Sequence, residues 1–238
     1  MTLGSSLKAM MGPRLTVLAR CLLRDLPIPR WGNLRRLEPL SRNFGFDRGS
    51  PVDRFYLHRF LDANRSAITG RVLEIQMPGY TERFGYDVVE SHTVDIDPQY
   101  HATFTSDLAD SPALPSDYYD CVLMPNTLHH LESLEPALST LLRVVKPGGT
   151  ILASAAGLVP LISDGGDFWR FSADGWRNVL SRAWPGCPIA IESHGNCLAA
   201  IAAIHGLAME ELTADELVPC DPCYPVLITI RCRKTREH

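Results

Sequence analysis

Two adjacent histidines, His129 and His130, follow a short apolar run that ends in Met124-Pro125-Asn126. Histidine exchanges a proton near neutral pH, so either ring could act as a base where an oxygen nucleophile must lose its hydrogen. A histidine packed at the start of a helix would look the same in sequence. Upstream, Thr93-Val94-Asp95-Ile96-Asp97-Pro98 ends a second apolar run in carboxylates, and Ser106-Asp107-Leu108 follows a third. A carboxylate at the end of such a strand can accept hydrogen bonds from both hydroxyls of a ribose. Asp107, or the backbone beside it, is placed to meet an adenine amino group. Two other spacings invite a metal. Cys220-Asp221-Pro222-Cys223 has zinc-knuckle spacing, but Cys187, His194, Cys197 and Cys232 do not supply a second paired ligand set. Asp164-Gly165-Gly166-Asp167 reads as a solvated turn. No metal is expected.

These side chains need a scaffold that gathers strand ends. From Arg71 onward, short apolar runs alternate with helical periods, the pattern of βαβ units and a parallel sheet. The strands are expected at 72–75, 88–95, 102–105, 121–124, 150–153, 189–192 and 226–231. Helices are expected near 80–86, 133–145, 173–183 and 197–212, with Pro147-Gly148-Gly149 turning between the second of these and the fifth strand. The first strand runs into Gln76-Met77-Pro78-Gly79-Tyr80, and open α/β sheets bind ligands beyond such carboxyl ends. Before the sheet, Leu15, Leu18, Leu22 and Leu26 form one stripe of a helix over 15–26, which Pro27 and Pro29 end. A polar, Arg-rich connector covers 30–50. Ser50-Pro51 then opens a helix with Pro at its first position and Phe55, Leu57, Phe60, Leu61 and Ile68 as its buried face. The expected division is an arm and connector, 1–50, and an α/β domain, 51–238.

A chain of 238 residues can fill one core, and 45% hydrophobic with 21% charged residues is ordinary for a soluble globular protein. The net charge of −4 hides an asymmetry. Residues 1–66 carry twelve Lys/Arg against five Asp/Glu, a balance of +7, and the remainder carries −11. Because the basic residues are dispersed, pairing of the arm with its own acidic domain is preferred to a phosphate-bearing or lipid partner, and no nucleic acid is expected. Arg14, Arg20 and Arg24 break up the early apolar stretch, so neither a signal core nor a membrane span is expected. Seven cysteines without such a signal fit a reducing cytoplasm. The apolar helix at 197–203 is too short to span a membrane and reads as core or as a homodimer contact.

Taken in order, these motifs resemble the class I S-adenosylmethionine-dependent methyltransferases, in the small-molecule, type 11-like branch. The resemblance covers about residues 50–235. It rests on the acidic end of strand two, the Asp120-to-Asn126 stretch leading into Leu128-His129-His130, and Lys146-Pro147-Gly148-Gly149-Thr150-Ile151-Leu152. It implies a Rossmann-like, seven-stranded, mostly parallel sheet of order 3-2-1-4-5-7-6, with strand seven antiparallel and helices on both faces. S-adenosyl-L-methionine would lie over the ends of strands one, two and four. By the same resemblance Glu74 orders the first turn, Gly79 lets backbone approach the cofactor, and Tyr80 and Gln76 belong to that turn. Asp95 and Asp97 compete for the ribose, Asp107 and Leu108 meet the adenine, and Asn126 marks where methionine-side and acceptor contacts join.

One position departs from the family pattern. Gln76 sits where the first glycine of Glu-x-Gly-x-Gly-x-Gly is expected, and its side chain could crowd the cofactor. The segments 44–54 and 167–172 resemble a bacterial subgroup associated with glycan and specialised-metabolite gene clusters. Arg54, Tyr56, Trp169 and Arg170, in or beside these segments, are candidate lid or substrate residues, although Trp169 fits a core position equally well. The expected function is methyl transfer to the oxygen or nitrogen of a small polar acceptor, such as a sugar, a nucleotide-linked compound or a specialised-metabolite intermediate. His129 and His130 are the candidate bases. The alternatives are a catalytically inactive cofactor- or partner-binding protein, which Gln76 favours, and a cofactor-dependent cyclase on the same fold.

Overall fold

The computed structural model describes residues 13–24, 27, 32–162 and 166–236. The chain divides into two compact units, Met1–Glu38 and Pro39–His238. The first contains helix α1, Pro13–Leu23, and a 3-10 turn at Gly32–Leu34. Leu26, the last member of the expected stripe, lies outside the described residues.

The second unit is built on seven strands: β1 (Gly70–Ile75), β2 (Val88–Asp95), β3 (Phe104–Thr105), β4 (Tyr119–Met124), β5 (Val145–Ala156), β6 (Ile189–His194) and β7 (Leu227–Arg233). Their order is β3-β2-β1-β4-β5-β7-β6, and β7 pairs antiparallel with both neighbours. This is the Rossmann-like sheet implied by the resemblance. Helices α2 (Val52–Ala63), α3 (Gly79–Phe84), α4 (Leu134–Val144), α5 (Ala173–Ala183), α6 (Cys197–His205) and α7 (Ala214–Leu217) surround it.

The central strands β1, β4, β5 and β7 bury both faces over most of their length and so read as apolar runs, whereas β6 and the first half of β2 alternate half-buried with exposed residues. Along β4, Tyr119, Val122 and Met124 enter the core shared with α4, Trp176 and Trp184 of the 173–184 region, while Cys121 and Leu123 enter the opposite core with α2 and α6. Helix α4 passes directly into β5 at Val145, so the Pro-Gly-Gly segment is an irregularity inside the strand rather than a separate turn. Helix α2 has Pro51 as its N-cap, so it begins one residue later than expected. Its buried face is Val52, Tyr56, Leu57 and Leu61, and Phe55 and Phe60 are only partly covered.

The helix expected over 197–212 stops at His205. Gly206 takes φ +68 and closes the helix with hydrogen bonds to Ala202 and Ala203. Ser41 carbonyl oxygen would lie 2.4 Å from a Cβ at this position. Gly45 is equally constrained, at φ +95 with Leu207 carbonyl oxygen 2.6 Å from where a Cβ would stand. These two close approaches let residues 39–50 pack on the 205–211 segment. Leu40 and Ser41 amides donate to His205 carbonyl, Met209 amide donates to Ser50 carbonyl, and Arg48 pairs with Glu211 across 163 residues of chain.

Candidate active site

A cavity of about 670 Å³ opens at the carboxyl ends of β1, β2, β4 and β5, where the sheet order reverses between the paired neighbours β1 and β4. In this sheet order that is the switch point at which an open α/β sheet leaves a crevice. Gln76, Asp95, Asp107, Leu108, Asn126, His129, His130, Arg54 and Arg170 line it. Tyr56, Gly79, Tyr80, Asp97 and Trp169 do not.

Glu74 acts from beneath. Its carboxylate is 1% exposed and accepts the amides of Tyr80 (3.0 Å) and Thr81 (2.7 Å) and the Thr81 hydroxyl (2.6 Å). It thereby ties the start of α3 to the end of β1. Burial raises its pKa, and the Thr81 and Tyr80 hydrogen bonds oppose that rise. The Tyr80 ring packs with His58 and Phe84 on the α2 side. Gly79 has an ordinary φ, and a Cβ there would meet no protein atom within 4 Å. Gln76 occupies the turn at φ +65, with its amide donating to Val94 carbonyl at 2.9 Å. A non-glycine residue held left-handed costs on the order of 1 kcal/mol.

The two strand-two acids separate clearly. Asp95 Oδ1 accepts the Asp97 amide at 2.7 Å and its second oxygen has no partner among the described residues. Asp97 caps the turn Pro98–Tyr100 and spends both oxygens on Gln99. Asp107 Oδ1 accepts the Ala109 amide, again leaving one oxygen without a partner among the described residues. Asn126 is left-handed at φ +50 and is held on three sides: its amide donates to Ser154 Oγ, its Oδ1 accepts from that hydroxyl, and its Nδ2 donates to Asp53 Oδ2 at 2.5 Å.

The histidines are not equivalent. His129 is 3% exposed, and its Nδ1 accepts the Ala156 amide at 3.3 Å. Burial first, then His130 and Arg170, lower its pKa to about 3. At neutral pH it is an uncharged ring with its proton on Nε2, which makes it a donor; the expected base role does not fit it. His130 Nδ1 lies 2.5 Å from Gly166 carbonyl. A carbonyl only accepts, so Nδ1 carries the hydrogen and Nε2 keeps its lone pair. Of the two, His130 has the tautomer of a base.

The 166–170 strip closes one side. Phe168 and Trp169 amides donate to His129 carbonyl, and Arg170 donates to Asp167 and to the carbonyls of Gly157 and Pro160. Burial would raise the Asp167 pKa, but Arg170 outweighs it and holds the carboxyl low. Trp169 is half-buried against the core, donating from Nε1 to Leu131 carbonyl at 2.7 Å. Tyr56 is likewise no lid residue: it is buried and its hydroxyl donates to Leu217 carbonyl at 3.0 Å. Sequence reasoning missed Asp53, Phe46, Ile162 and Phe168 as cavity residues. Only the contact between Asp53 and Asn126, 73 residues apart, reveals the first of these. Among the described residues no group of three or more metal-ligating side chains converges, and no helix is long and apolar enough to cross a membrane.

Residues 81–153 match the family model described as a methyltransferase domain. No curated protein matches the chain. Among solved structures, a SAM-dependent methyltransferase from Archaeoglobus fulgidus shares 20% identity at TM-score 0.54, covering 82% of this chain and all of its own. An S-adenosylmethionine-dependent methyltransferase from Mesorhizobium loti shares 17% identity at TM-score 0.52, covering 80% of this chain and all of its own. The [4+2]-cyclase SpnF shares 16% identity at TM-score 0.54, covering 79% of this chain and 84% of its own. These likenesses establish the fold.

Proposed function

We propose that this chain, which carries the class I S-adenosylmethionine-dependent methyltransferase fold, binds that cofactor and transfers its methyl group to an oxygen or nitrogen of a small acceptor. The observation that carries the reading is the pair of half-used carboxylates, Asp95 and Asp107, at the switch-point cavity. The donor set suits the cofactor: Asp95 for the ribose hydroxyls, Asp107 and Leu108 for the adenine, and the Gln76 turn and Asn126 for the methionine part. When bound, S-adenosylmethionine supplies a methyl group on a positively charged sulfur, which keeps the bonding electron pair when the methyl leaves.

The protein's own work is to orient the acceptor, exclude water and receive a proton. Positioning alone can supply much of the acceleration for an in-line transfer. As the acceptor's oxygen or nitrogen bonds to the methyl carbon, its hydrogen passes to His130 Nε2. Gly166 carbonyl steadies the resulting imidazolium through Nδ1. His129, uncharged and donating, orients without taking a proton.

Titration of the full chain with S-adenosylhomocysteine is expected to show micromolar-range binding. Asp95→Ala should weaken it by roughly 1–3 kcal/mol, and Asp97→Ala should change it little. No binding by the wild-type chain would overturn the reading. The left-handed Gln76 favours one alternative, a cofactor-binding protein that catalyses no transfer; SpnF is a cyclase on the same fold. Binding without transfer to any acceptor would support it.

A further inference from the structure

Resting on the methyl-transfer reading, we infer that the acceptor is an uncharged aromatic compound carrying a phenol-type hydroxyl, and not a phosphate-bearing sugar. The first ground is charge. Both cations that line the cavity are already neutralised: Arg54 Nη1 lies 2.6 Å from Asp53, and Arg170 is held by Asp167 and the Gly157 and Pro160 carbonyls. Asp95, Asp107 and Glu132 line the same cavity with no cation paired to them among the described residues. With Asp95 and Asp107 taken up by the cofactor, a phosphate or carboxylate on the acceptor would lose its water shell beside Glu132 and find no free guanidinium among the described residues that line the cavity.

The second ground is the wall itself. Phe46 is 54% exposed, Phe168 45% and Ile162 40%, and all three line the cavity. They come from three separate segments, 39–50, 157–162 and 166–170, that converge beside it. Large apolar side chains left open to water at a concave site are completed by an apolar ligand, and aromatic rings favour stacked or edge-on partners. The third ground is the neighbouring base. Phe168 is fixed to the His129–His130 turn through the amide that donates to His129 carbonyl, and Gly166 is fixed to it through His130 Nδ1. A ring held against Phe168 therefore lies near His130. A phenolic hydroxyl has a pKa of about 10, close enough to histidine for a single imidazole to accept its proton during the transfer. An alkyl hydroxyl of a sugar is a far weaker acid. In the step, the oxygen–methyl bond forms as the sulfur–methyl bond breaks, sulfur retains the electron pair, and the hydroxyl proton passes to His130.

The test is methyl transfer by the full chain from labelled S-adenosylmethionine to three probes: 1-naphthol, a UDP-hexose and an aliphatic amine. Methylation of the naphthol is expected, with the other two inert. Phe46→Ala and Phe168→Ala should each raise KM for the naphthol about tenfold. Turnover at saturation and S-adenosylhomocysteine affinity should hold, and Phe168→Tyr should restore KM. A merely structural role for these rings would instead lower melting temperature and cofactor affinity together. Turnover on the UDP-hexose or the amine alone overturns the inference and leaves the methyltransferase reading standing. Cofactor binding with none of the probes methylated also overturns it. Loss of wild-type cofactor binding is a separate result, and it overturns the reading beneath.

Discussion

At the scale of single residues, the chemistry turns on what each histidine's Nδ1 meets. An amide hydrogen at His129 forces the proton to Nε2, and a carbonyl at His130 forces it to Nδ1. Identical side chains in adjacent positions thus become a donor and an acceptor. His130→Ala is expected to lower turnover about 100- to 10,000-fold with S-adenosylhomocysteine affinity held. Steady-state kinetics beside calorimetry would show this; an unchanged turnover would remove His130 as the base. The sequence placed both histidines after β4, but nothing in it distinguished their tautomers, because the partners are Ala156 and Gly166, 27 and 36 residues away. The same holds for Asp95 and Asp97. Their spacing from the strand left both open, and only the turn that consumes Asp97 separates them.

Secondary-structure elements were more legible than their junctions. The central strands were readable as short apolar runs because both their faces are buried, β2 and β6 from apolar residues on a half-covered face, and α5 was legible at its observed bounds because Ser172 caps it cleanly. The β-run of 150–153 was too short because the backbone of Lys146-Pro147-Gly148-Gly149 continues the ladder despite its turn-like composition. Helix α2 was phased on its aromatic residues, whereas Phe55 and Phe60 remain partly exposed and Tyr56 is inside. Glu74 links two elements by holding the start of α3 on β1. Glu74→Gln keeps the shape but turns an amide donor toward amide donors, and it is expected to cost about 1–3 kcal/mol. A melting temperature lowered by several degrees, with weaker S-adenosylhomocysteine binding, would show that this junction shapes the cofactor turn. A variant matching the wild type in both would mean that the turn holds itself.

Across the whole molecule, buried uncharged histidines couple the fold to pH. His129 is held near pKa 3 against 6.5 for an ordinary ring, and burial also lowers His194. Between these values the unfolded chain binds a proton that the folded chain refuses, so stability is full above about pH 6.5 and declines as pH falls toward 3. From pH 7 to pH 5, His129 alone accounts for a loss on the order of 2 kcal/mol. Calorimetric melting temperatures should fall over that interval, with a shallower slope in His129→Gln. A flat profile would contradict a buried, uncharged His129.

The contacts of residues 39–50 with 205–211 carry a kinetic consequence. They close a loop of more than 160 residues, so their entropic cost is met only after the sheet between them exists. Contacts of such high sequence separation form late and, resting on few buried side chains, are among the first to open in the native state. Phe46 belongs to this closure and also to the cavity wall. The last segment to fold is therefore the one whose brief local unfolding uncovers the acceptor side, so ligand entry and the final folding event share one transition.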